Sequence, residues 1–404
     1  MTRKRERGIR IFLVGTEFFR SYGGIQYVNR LLARALCQMG SRTPLQLEAF
    51  SYVDGPEHFP AMMAGATPVR WHGAQRRRRE MAWRLTKRLA AAQPDLVLFT
   101  HVSLLPLERV VHALVPGSRV AVLTHGTEVW HPLEARAAQC LPRVDSFVSP
   151  SAFTARKVAE IHGIRPDRIT VIPHGLDPDW MNASNASPVA HGAAPGGSGP
   201  LLLSVTRLSR ADREGKGIDL VLQALPAVVA QFPNVRYRVI GGGGDLPRLA
   251  ELVRSLGLES RTELPGARRD DALRQSYAEA DVFVLPTQVE GFGVVFLEAM
   301  YNRLPVVAVR ASATPEVVED GVSGILVTPG RADELASALI ALLSDADRRR
   351  SMGEAGRHRV EQSFRFEQFA ARWERWVTGR VPEAVYAARQ TCAFSAARAA
   401  LGAA

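Results

Sequence analysis

The chain has 404 residues, which is long enough for two domains of about 100 to 200 residues each. Hydrophobic residues make up 46% and charged residues 23% of the chain, a globular composition that excludes a disordered or membrane-embedded protein. The formal net charge of +11 at pH 7 indicates attraction to polyanions, which include nucleic acid, acidic lipid surfaces and phosphorylated substrates.

The first half of the chain alternates strand and helix patterns. A buried-strand pattern from Ile9 to Gly15 is followed by a glycine turn at Gly23 and Gly24 and by a helical stretch from Ile25 to Met39. Such alternation is typical of a parallel sheet covered by helices on both faces. The sequence therefore predicts a doubly wound, Rossmann-like domain over residues 1–182, with further strands at Leu96–Phe99, Val120–Leu123 and Phe147–Ser149.

Most of the excess positive charge lies in residues 70–88, which contain eight basic residues and one acidic residue, Glu80, for a net +7. Met81, Leu85 and Leu89 repeat every four residues, as in a basic amphipathic helix resting on an anionic membrane surface. A solvated helix face is the alternative, and nucleic-acid binding is disfavoured because no nucleic-acid module accompanies the charge. We therefore predict a peripheral membrane contact through Arg76, Arg77, Arg78 and Arg79.

A small, polar segment rich in glycine and proline, residues 183–200, predicts a linker. Strand and helix patterns then resume at the strand Leu201–Thr206, so we predict a second Rossmann-like domain over residues 201–363. Ligands of open parallel sheets bind outside the carboxyl ends of the strands, which places the predicted site in the cleft between the domains. Residues 364–404 are predicted to form a helix packing across the domain junction and a tail, with an apolar stripe at Phe366, Phe369, Trp373, Trp376 and Val377.

The cysteines are widely spaced and lack the spacing of a metal site, which predicts reduced thiols at Cys37, Cys140 and Cys392. The sequence has no run of about 18 apolar residues, and the apolar run Ile11–Val14 after the basic start is too short for a signal peptide. We therefore expect a cytoplasmic protein with no membrane span, peripheral at most on the inner face of the membrane.

Two glutamates bracket a glycine turn between a strand and a helix in the second domain. Glu290 and Glu298 stand at either end of this segment, and Gly291 and Gly293 allow the backbone close to a ligand. Amide groups at the helix start suit an anion or hydroxyl groups. Glu290 could then bind a sugar and Glu298 a ribose; for an isolated pair, helix-dipole stabilisation of first-turn acids is the favoured alternative.

Three further side chains stand where strands end. Arg207 and Lys216 follow the first strand of the second domain, and Lys216 precedes Gly217 and a helix start, where both cations can neutralise a diphosphate. A solvated basic loop is the alternative. His125 directly follows the strand VAVLT, which puts it at the sheet edge and not in the core.

An ordered set of motifs spans nearly the whole chain. Seven residues separate Glu290 from Glu298, and EAM, LPVVAV and TPEVVEDGVSGILV follow. Earlier come the opening glycine pair, THGTE around His125, VIPHGLD from Val171 to Asp177, and VTRLSRADREGKG. This set resembles the retaining family 4 glycosyltransferases. The resemblance implies a GT-B fold, in which an acceptor-side domain and a nucleotide-sugar-binding domain, both Rossmann-like, face each other across a cleft.

The resemblance also implies a reaction and a site. The reaction is hexosyl transfer, with retention of configuration, from a nucleotide sugar to a lipid-linked or polysaccharide acceptor. The alternatives are another sugar-nucleotide enzyme, such as an epimerase, and a non-catalytic binding protein. The implied catalytic residues are His125 at the transferred sugar, Arg207 and Lys216 at the leaving diphosphate, and Glu290. The implied donor-binding residues are Gly23, Gly24, Gly291, Phe292, Gly293 and Glu298.

No cofactor or metal is expected. Asp177 and Asp179 form an aspartate-x-aspartate triplet, but they belong to the VIPHGLD turn, and Arg207 and Lys216 can supply the positive charge that a metal would give. The glycine run Gly241–Asp245 follows a strand but lacks the GxGxxG arrangement, so we expect it to line the nucleoside pocket. Glu316 is expected near the donor, and Thr314 and His174 depart from the family pattern.

Overall fold

A computed structural model describes residues 8–58, 69–186, 199–210 and 213–380. The chain divides into two compact units. The first unit comprises residues 1–150, 154–173 and 366–404, and the second comprises residues 151–153 and 174–365. Cys392 lies outside the described residues, whereas Cys37 and Cys140 are buried free thiols.

The first unit is built on a seven-stranded sheet in which all neighbouring strands are parallel. Its strands are β1 (Ile9–Gly15), β2 (Leu45–Ser51), β3 (Val69–Gly73), β4 (Leu96–Phe99), β5 (Arg119–Leu123), β6 (Ser146–Ser149) and β7 (Ile169–Val171). The order across the sheet is β3-β2-β1-β4-β5-β6-β7. The intervening helices are α1 (Gly24–Met39), α2 (Arg78–Ala92), α3 (Glu108–Leu114), α4 (Ala135–Ala138) and α5 (Ala152–His162).

The second unit repeats this plan on six parallel strands. They are β8 (Leu201–Val205), β9 (Arg236–Ile240), β10 (Thr262–Gly266), β11 (Val282–Leu285), β12 (Val306–Val309) and β13 (Gly324–Val327), in the order β10-β9-β8-β11-β12-β13. Its helices are α6 (Pro178–Ala186), α7 (Arg213–Lys216), α8 (Ile218–Gln231), α9 (Leu246–Ser255), α10 (Asp270–Glu279), α11 (Val294–Tyr301), α12 (Thr314–Val317), α13 (Ala332–Ser344) and α14 (Ala346–Ser363). Each unit is therefore a doubly wound α/β domain, as predicted.

The last described helix, α15 (Phe366–Arg380), returns to the first unit and packs against α1. Phe366, Phe369, Trp373 and Trp376 lie in the same buried cluster as the apolar side chains of α1. The predicted apolar stripe is thus part of the core of the first unit.

Alternate apolar side chains of β1 pack into two different hydrophobic clusters, one on each face of the sheet. Ile9, Ile11 and Leu13 pack with α1 and α15, whereas Phe12 and Val14 pack in the cluster that contains the apolar side chains of α2. Both faces of the strand are buried from Ile11 onward, which explains why its sequence from Ile11 to Val14 is continuously apolar and does not alternate.

The predicted boundary between the domains is wrong by several residues, because the chain divides between residues 173 and 174 and not at residue 182. Residues 183–186 were assigned to the linker but complete helix α6. Composition misses this helix because few of its side chains are apolar. It is anchored by Met181 in the core of the second unit and by a hydrogen bond from the Tyr301 hydroxyl to Asn185. The rest of the predicted linker, residues 187–198, lies outside the described residues.

The proposed membrane-facing stripe of α2 is also wrong. Met81, Leu85 and Leu89 are buried in the core of the first unit, in the same cluster as Phe12 and Val14 of β1. Trp83 points the other way, with 62% of its surface exposed. Among the described residues, no helix is both long and apolar enough to cross a bilayer.

Candidate functional site

The carboxyl edge of the first-unit sheet holds the predicted histidine. His125 follows β5, and its Nε2 lies 2.7 Å from the Thr100 carbonyl oxygen, which can only accept. Nε2 therefore carries the proton, and Nδ1 is the nitrogen able to accept one. The backbone amide of His125 donates to the Glu128 carboxylate. These contacts fix the imidazole in one tautomer and one orientation.

A second histidine, His101, stacks beside it and was not predicted. The ring centroids of His101 and His125 lie 6.1 Å apart, with the rings 21° from parallel. Burial lowers the pKa of His101, Glu128 opposes this shift and His125 adds to it. His101 also caps the following turn, because its Nδ1 accepts from the Ser103 amide at 3.1 Å. Sequence spacing could not predict a contact between two residues that follow different strands.

The predicted glycine pair begins α1. Gly23 is the N-cap, with an extended φ of −178°, and its carbonyl accepts from the Tyr27 amide at 2.9 Å. A Cβ atom added to Gly24 would meet no atom within 4 Å. Packing therefore does not require glycine at position 24.

In the second unit, the predicted Lys216 and Glu290 come together. Lys216 Nζ lies 3.0 Å from Glu290 Oε2, and both side chains are mostly buried. Two glycines make this approach possible. A Cβ on Gly215 would lie 2.0 Å from the Val289 side chain, and Gly217, at a φ of +72°, leaves no room for a Cβ beside the carbonyl of the loop after β11. The Gly215 carbonyl also accepts from the Gln288 amide at 2.8 Å. The loop before α8 is thus held against the loop that carries Glu290.

Arg207 and Lys216 line one small pocket, and its lining also includes Asp245, from the glycine run, and Asp219 and Arg248, which the sequence did not predict. Arg248 spans this pocket and bonds Asp245 and Asp219, each at 2.8 Å. Hydrogen bonds to Asp245 and Asp219 raise the pKa of Arg248. Two carboxylates thus balance Arg248, so it adds less to the attraction of an anion than its charge suggests.

The second glutamate of the motif, Glu298, has a buried phenol as partner. The Tyr277 hydroxyl donates to Glu298 Oε2 at 2.8 Å, and Tyr277 is fully buried with Trp180 packed edge-on against its ring. Burial raises the pKa of Glu298 to about 7, and the hydrogen bond from Tyr277 opposes this rise. Glu298 is therefore a carboxyl group that a ligand donating hydrogen bonds would help to ionise.

The turn before α11 uses its residues in different ways. Gly293 is its N-cap at a φ of +92°, and a Cβ there would come within 2.4 Å of the Phe296 ring. The Gly291 carbonyl accepts from the Ser151 hydroxyl at 2.8 Å. Phe292 is buried, with its ring 5.0 Å from that of His174. Any contact of Phe292 with a donor would therefore involve its backbone.

Three other motif residues have structural duties. A Cβ on Gly241 would lie 1.8 Å from the Thr206 carbonyl oxygen, so the glycine run lets two backbones pass closely, and only Asp245 of this run lines the pocket. Asp177 accepts from the Asp179 amide at 2.9 Å and directly precedes α6. The Glu316 carboxylate accepts from the amides of Ala152 and Phe153, both at 2.7 Å. The described residues contain no cluster of three or more side chains suited to a metal.

Comparison with known proteins identifies the family. The model of glycosyl transferases group 1 matches residues 195–359, and that of glycosyltransferase family 4 matches residues 22–180. A GDP-mannose-dependent alpha-(1-6)-phosphatidylinositol monomannoside mannosyltransferase of Mycobacterium tuberculosis is 30% identical over 278 residues, which are 66% of this chain and 71% of that protein. The chain belongs to the family 4 glycosyltransferases.

A second relative agrees with this family assignment, and a solved structure shows the same fold. A D-inositol 3-phosphate glycosyltransferase of Nocardia farcinica is 30% identical over 61% of this chain and 56% of its own length. The crystal structure of Anabaena Alr3699/HepE in complex with UDP superposes with a TM-score of 0.72 at 19% identity, covering 92% of this chain and all of that one. The predicted GT-B fold and the predicted enzyme class, a glycosyltransferase acting as a hexosyltransferase, are confirmed. The alternatives, an epimerase or a non-catalytic binding protein, are not supported.

Proposed function

We propose that this family 4 glycosyltransferase is a retaining enzyme that moves a hexose from a nucleoside-diphosphate sugar to a phosphate-bearing lipid-linked or glycan acceptor. The observation that carries the proposal is the pocket at the start of α8, where Arg207 and Lys216 stand together. Lys216 also contacts Glu290 at the turn before α11. A diphosphate in this pocket would be neutralised by cations and by helix amides.

The charge on the diphosphate grows as the bond to the sugar breaks. Arg207 and Lys216 stabilise that developing charge, which lowers the barrier without proton transfer to the leaving group. Glu290, held by Lys216, faces hydroxyl groups of the transferred sugar. Glu298 accepts from the ribose hydroxyls of the nucleotide, and His125 contacts the sugar at the reacting centre.

The acceptor class is suggested by the relatives and by charge. The mycobacterial relative is named for a phosphatidylinositol monomannoside, and the Nocardia relative for D-inositol 3-phosphate, so both names specify a phosphorylated inositol. An anionic acceptor suits the first unit, whose residues 70–88 carry a net +7.

We expect transfer to proceed without a divalent metal, because the cations of the pocket supply the charge that a metal would give. The assay incubates the protein with GDP- and UDP-hexoses and phosphoinositol acceptors in excess EDTA, and NMR gives the anomeric configuration of the product. Activity in EDTA with retained configuration is the expected result. Loss of activity that Mg²⁺ or Mn²⁺ restores would contradict the metal-independent mechanism, and an inverted product would contradict retention.

We also propose that the outer face of α2 contacts an anionic membrane. Arg76, Arg78 and Arg79 are exposed at its start, and Trp83 lies one turn further on with Lys87 over its ring at 5.3 Å. An exposed indole among cations suits the boundary between lipid head groups and acyl chains. Arg77 and Arg84 contribute less to this surface, because both pair with Glu80.

Membrane binding should be electrostatic and reversible by salt. Each basic residue near an anionic surface contributes about 1 kcal/mol, screened within about 10 Å at 0.1 M salt. We expect the protein to co-sediment with phosphatidylglycerol vesicles at low salt, and a variant with glutamine at positions 76–79 to remain in solution.

The matched control replaces four exposed arginines of the second unit by glutamine, at Arg268, Arg269, Arg348 and Arg350. It has the same net charge as the test variant and should still sediment. Equal sedimentation of both variants, or none of the wild type, would show that α2 presents an ordinary solvated face.

A further inference from the structure

One buried carboxylate holds the loop that leads to the glycine pair. Asp54 is fully buried just beyond the carboxyl end of β2. Its Oδ2 accepts from the Phe18 amide and the Ser51 hydroxyl, each at 2.6 Å, and its Oδ1 accepts from the amides of Phe19 and Arg20 at 3.1 and 2.8 Å. Three consecutive amides of the loop between β1 and α1 thus converge on a single side chain.

Side chains of helix α1 donate hydrogen bonds to the carbonyl groups of the same loop. Asn29 donates to the Glu17 carbonyl oxygen and Arg30 to the Phe18 carbonyl oxygen, both at 2.8 Å. The chain then passes through Tyr22, which is 56% exposed, and reaches the glycine pair. Residues 17–20 are therefore fixed on both sides directly before the segment predicted to meet a ligand.

Only a carboxylate satisfies this arrangement. Two acceptor oxygens with about four lone-pair sites match the four donors, and the negative charge strengthens each bond. An asparagine at position 54 would offer one acceptor oxygen and point an NH₂ group at backbone amides. The loop would then be flexible in the free protein and would become ordered only when substrate binds. The free-energy cost of ordering it would weaken substrate binding, whereas a preformed loop adds no such cost.

We propose that Asp54 is a positioning residue for sugar transfer, which fixes the loop between β1 and α1 so that Gly23 and Gly24 stand ready for the donor phosphate or the acceptor. The inference rests on the proposed function of the glycine pair. Asp54 acts through the loop and contacts no substrate itself.

The test compares Asp54→Asn with Asp145→Asn. Asp145 is a matched control, because it lies in the same unit and accepts from a strand amide, that of Val120, at 2.8 Å, but it does not contact the loop. We expect Asp54→Asn to raise the KM for donor or acceptor about tenfold while kcat changes little, since bound substrate restores the loop. Trypsin should also cut faster after Arg20, which lies exposed in the loop.

A purely structural role would lower the melting temperature without changing KM. Equal KM values and equal cleavage after Arg20 in the two variants would overturn the proposal. If Asp54→Asn does not fold, Ser51→Ala removes one of the four donors and should raise KM in the same direction by a smaller factor; an unchanged KM in that variant would overturn the proposal equally.

Gly24→Ala separates this inference from the function on which it rests. The added methyl group meets no atom within 4 Å outside the neighbouring helix backbone, so it should report ligand approach, and an unchanged melting temperature would show that the fold is intact. A raised KM in Gly24→Ala with an unchanged KM in Asp54→Asn would reject the positioning role only. An unchanged KM in Gly24→Ala would reject the role of the glycine pair, and the positioning role with it.

Discussion

Replacing Lys216 by alanine is expected to lower turnover by about 100-fold or more, the scale for losing one group that stabilises developing charge. Binding of nucleoside diphosphates should weaken as well, which a smaller thermal shift on their addition would record. Lys157→Ala is the matched control, because Lys157 also pairs with a glutamate, Glu160, at 3.8 Å, but on a surface helix. Turnover equal to that of the control would remove Lys216 from the mechanism.

A second variant excludes an indirect explanation. Removing Lys216 leaves the mostly buried Glu290 carboxylate without its cation, and this alone could disturb the site. If neutralising Glu290 were the only role of Lys216, the double variant Lys216→Ala/Glu290→Gln would be as active as Glu290→Gln alone. We expect the double variant to be far less active than Glu290→Gln, because the diphosphate would still lack its cation.

Replacing Glu298 by glutamine is expected to stabilise the fold and weaken donor binding at the same time. Burial raises the pKa of Glu298 from 4.5 to about 7, so the folded state holds a proton that the unfolded state releases between these pH values. The contribution of Glu298 to the free energy of unfolding is fully present below pH 4.5 and is lost as the pH rises through about 7. The loss above pH 7 amounts to about 3 kcal/mol, and the glutamine variant avoids it.

The measurement is the melting temperature of wild type and Glu298→Gln from pH 5 to pH 8. The melting temperature of Glu298→Gln should exceed that of the wild type by a margin that grows as the pH rises. Glu251→Gln, which alters an exposed glutamate, should differ from the wild type by the same amount at every pH. The KM for the donor should rise about 10- to 100-fold, the scale for a lost hydrogen bond to a charged group. A variant that is less stable at pH 8, or that binds donor normally, would contradict the role of Glu298.

Sequence patterns found the interior strands of the two described sheets except β2, and missed all four outer ones. Strands such as β1, β4 and β11 are covered on both faces and read as apolar runs. The strands that the sequence did not predict include β3, β7, β10 and β13, which are the four sheet edges. An edge strand has one open side and tolerates polar residues, as in Thr262–Gly266, so its pattern is weaker.

The candidate site was predicted as residue identities and not as contacts. Glycine turns and strand ends indicated Lys216 and Glu290, but their pairing across 74 positions depends on β8 and β11 being neighbours. Tyr277 and Asp54 gave no signal at all, because a lone tyrosine or aspartate has no motif. Their importance follows from burial and partners, which only the order of the strands determines.

The path of the chain has a consequence for synthesis on the ribosome. The first unit is discontinuous, because its core includes Phe369, Trp373 and Trp376 from α15. The segment 174–365, which belongs to the second unit, is synthesised before α15. The amino-terminal unit therefore cannot finish folding until the last part of the chain has emerged, and the apolar side of α1 stays uncovered while the second unit is translated. Premature termination between residues 174 and 365 leaves both units incomplete, and termination within α15 leaves the second unit whole but the first unit without part of its core.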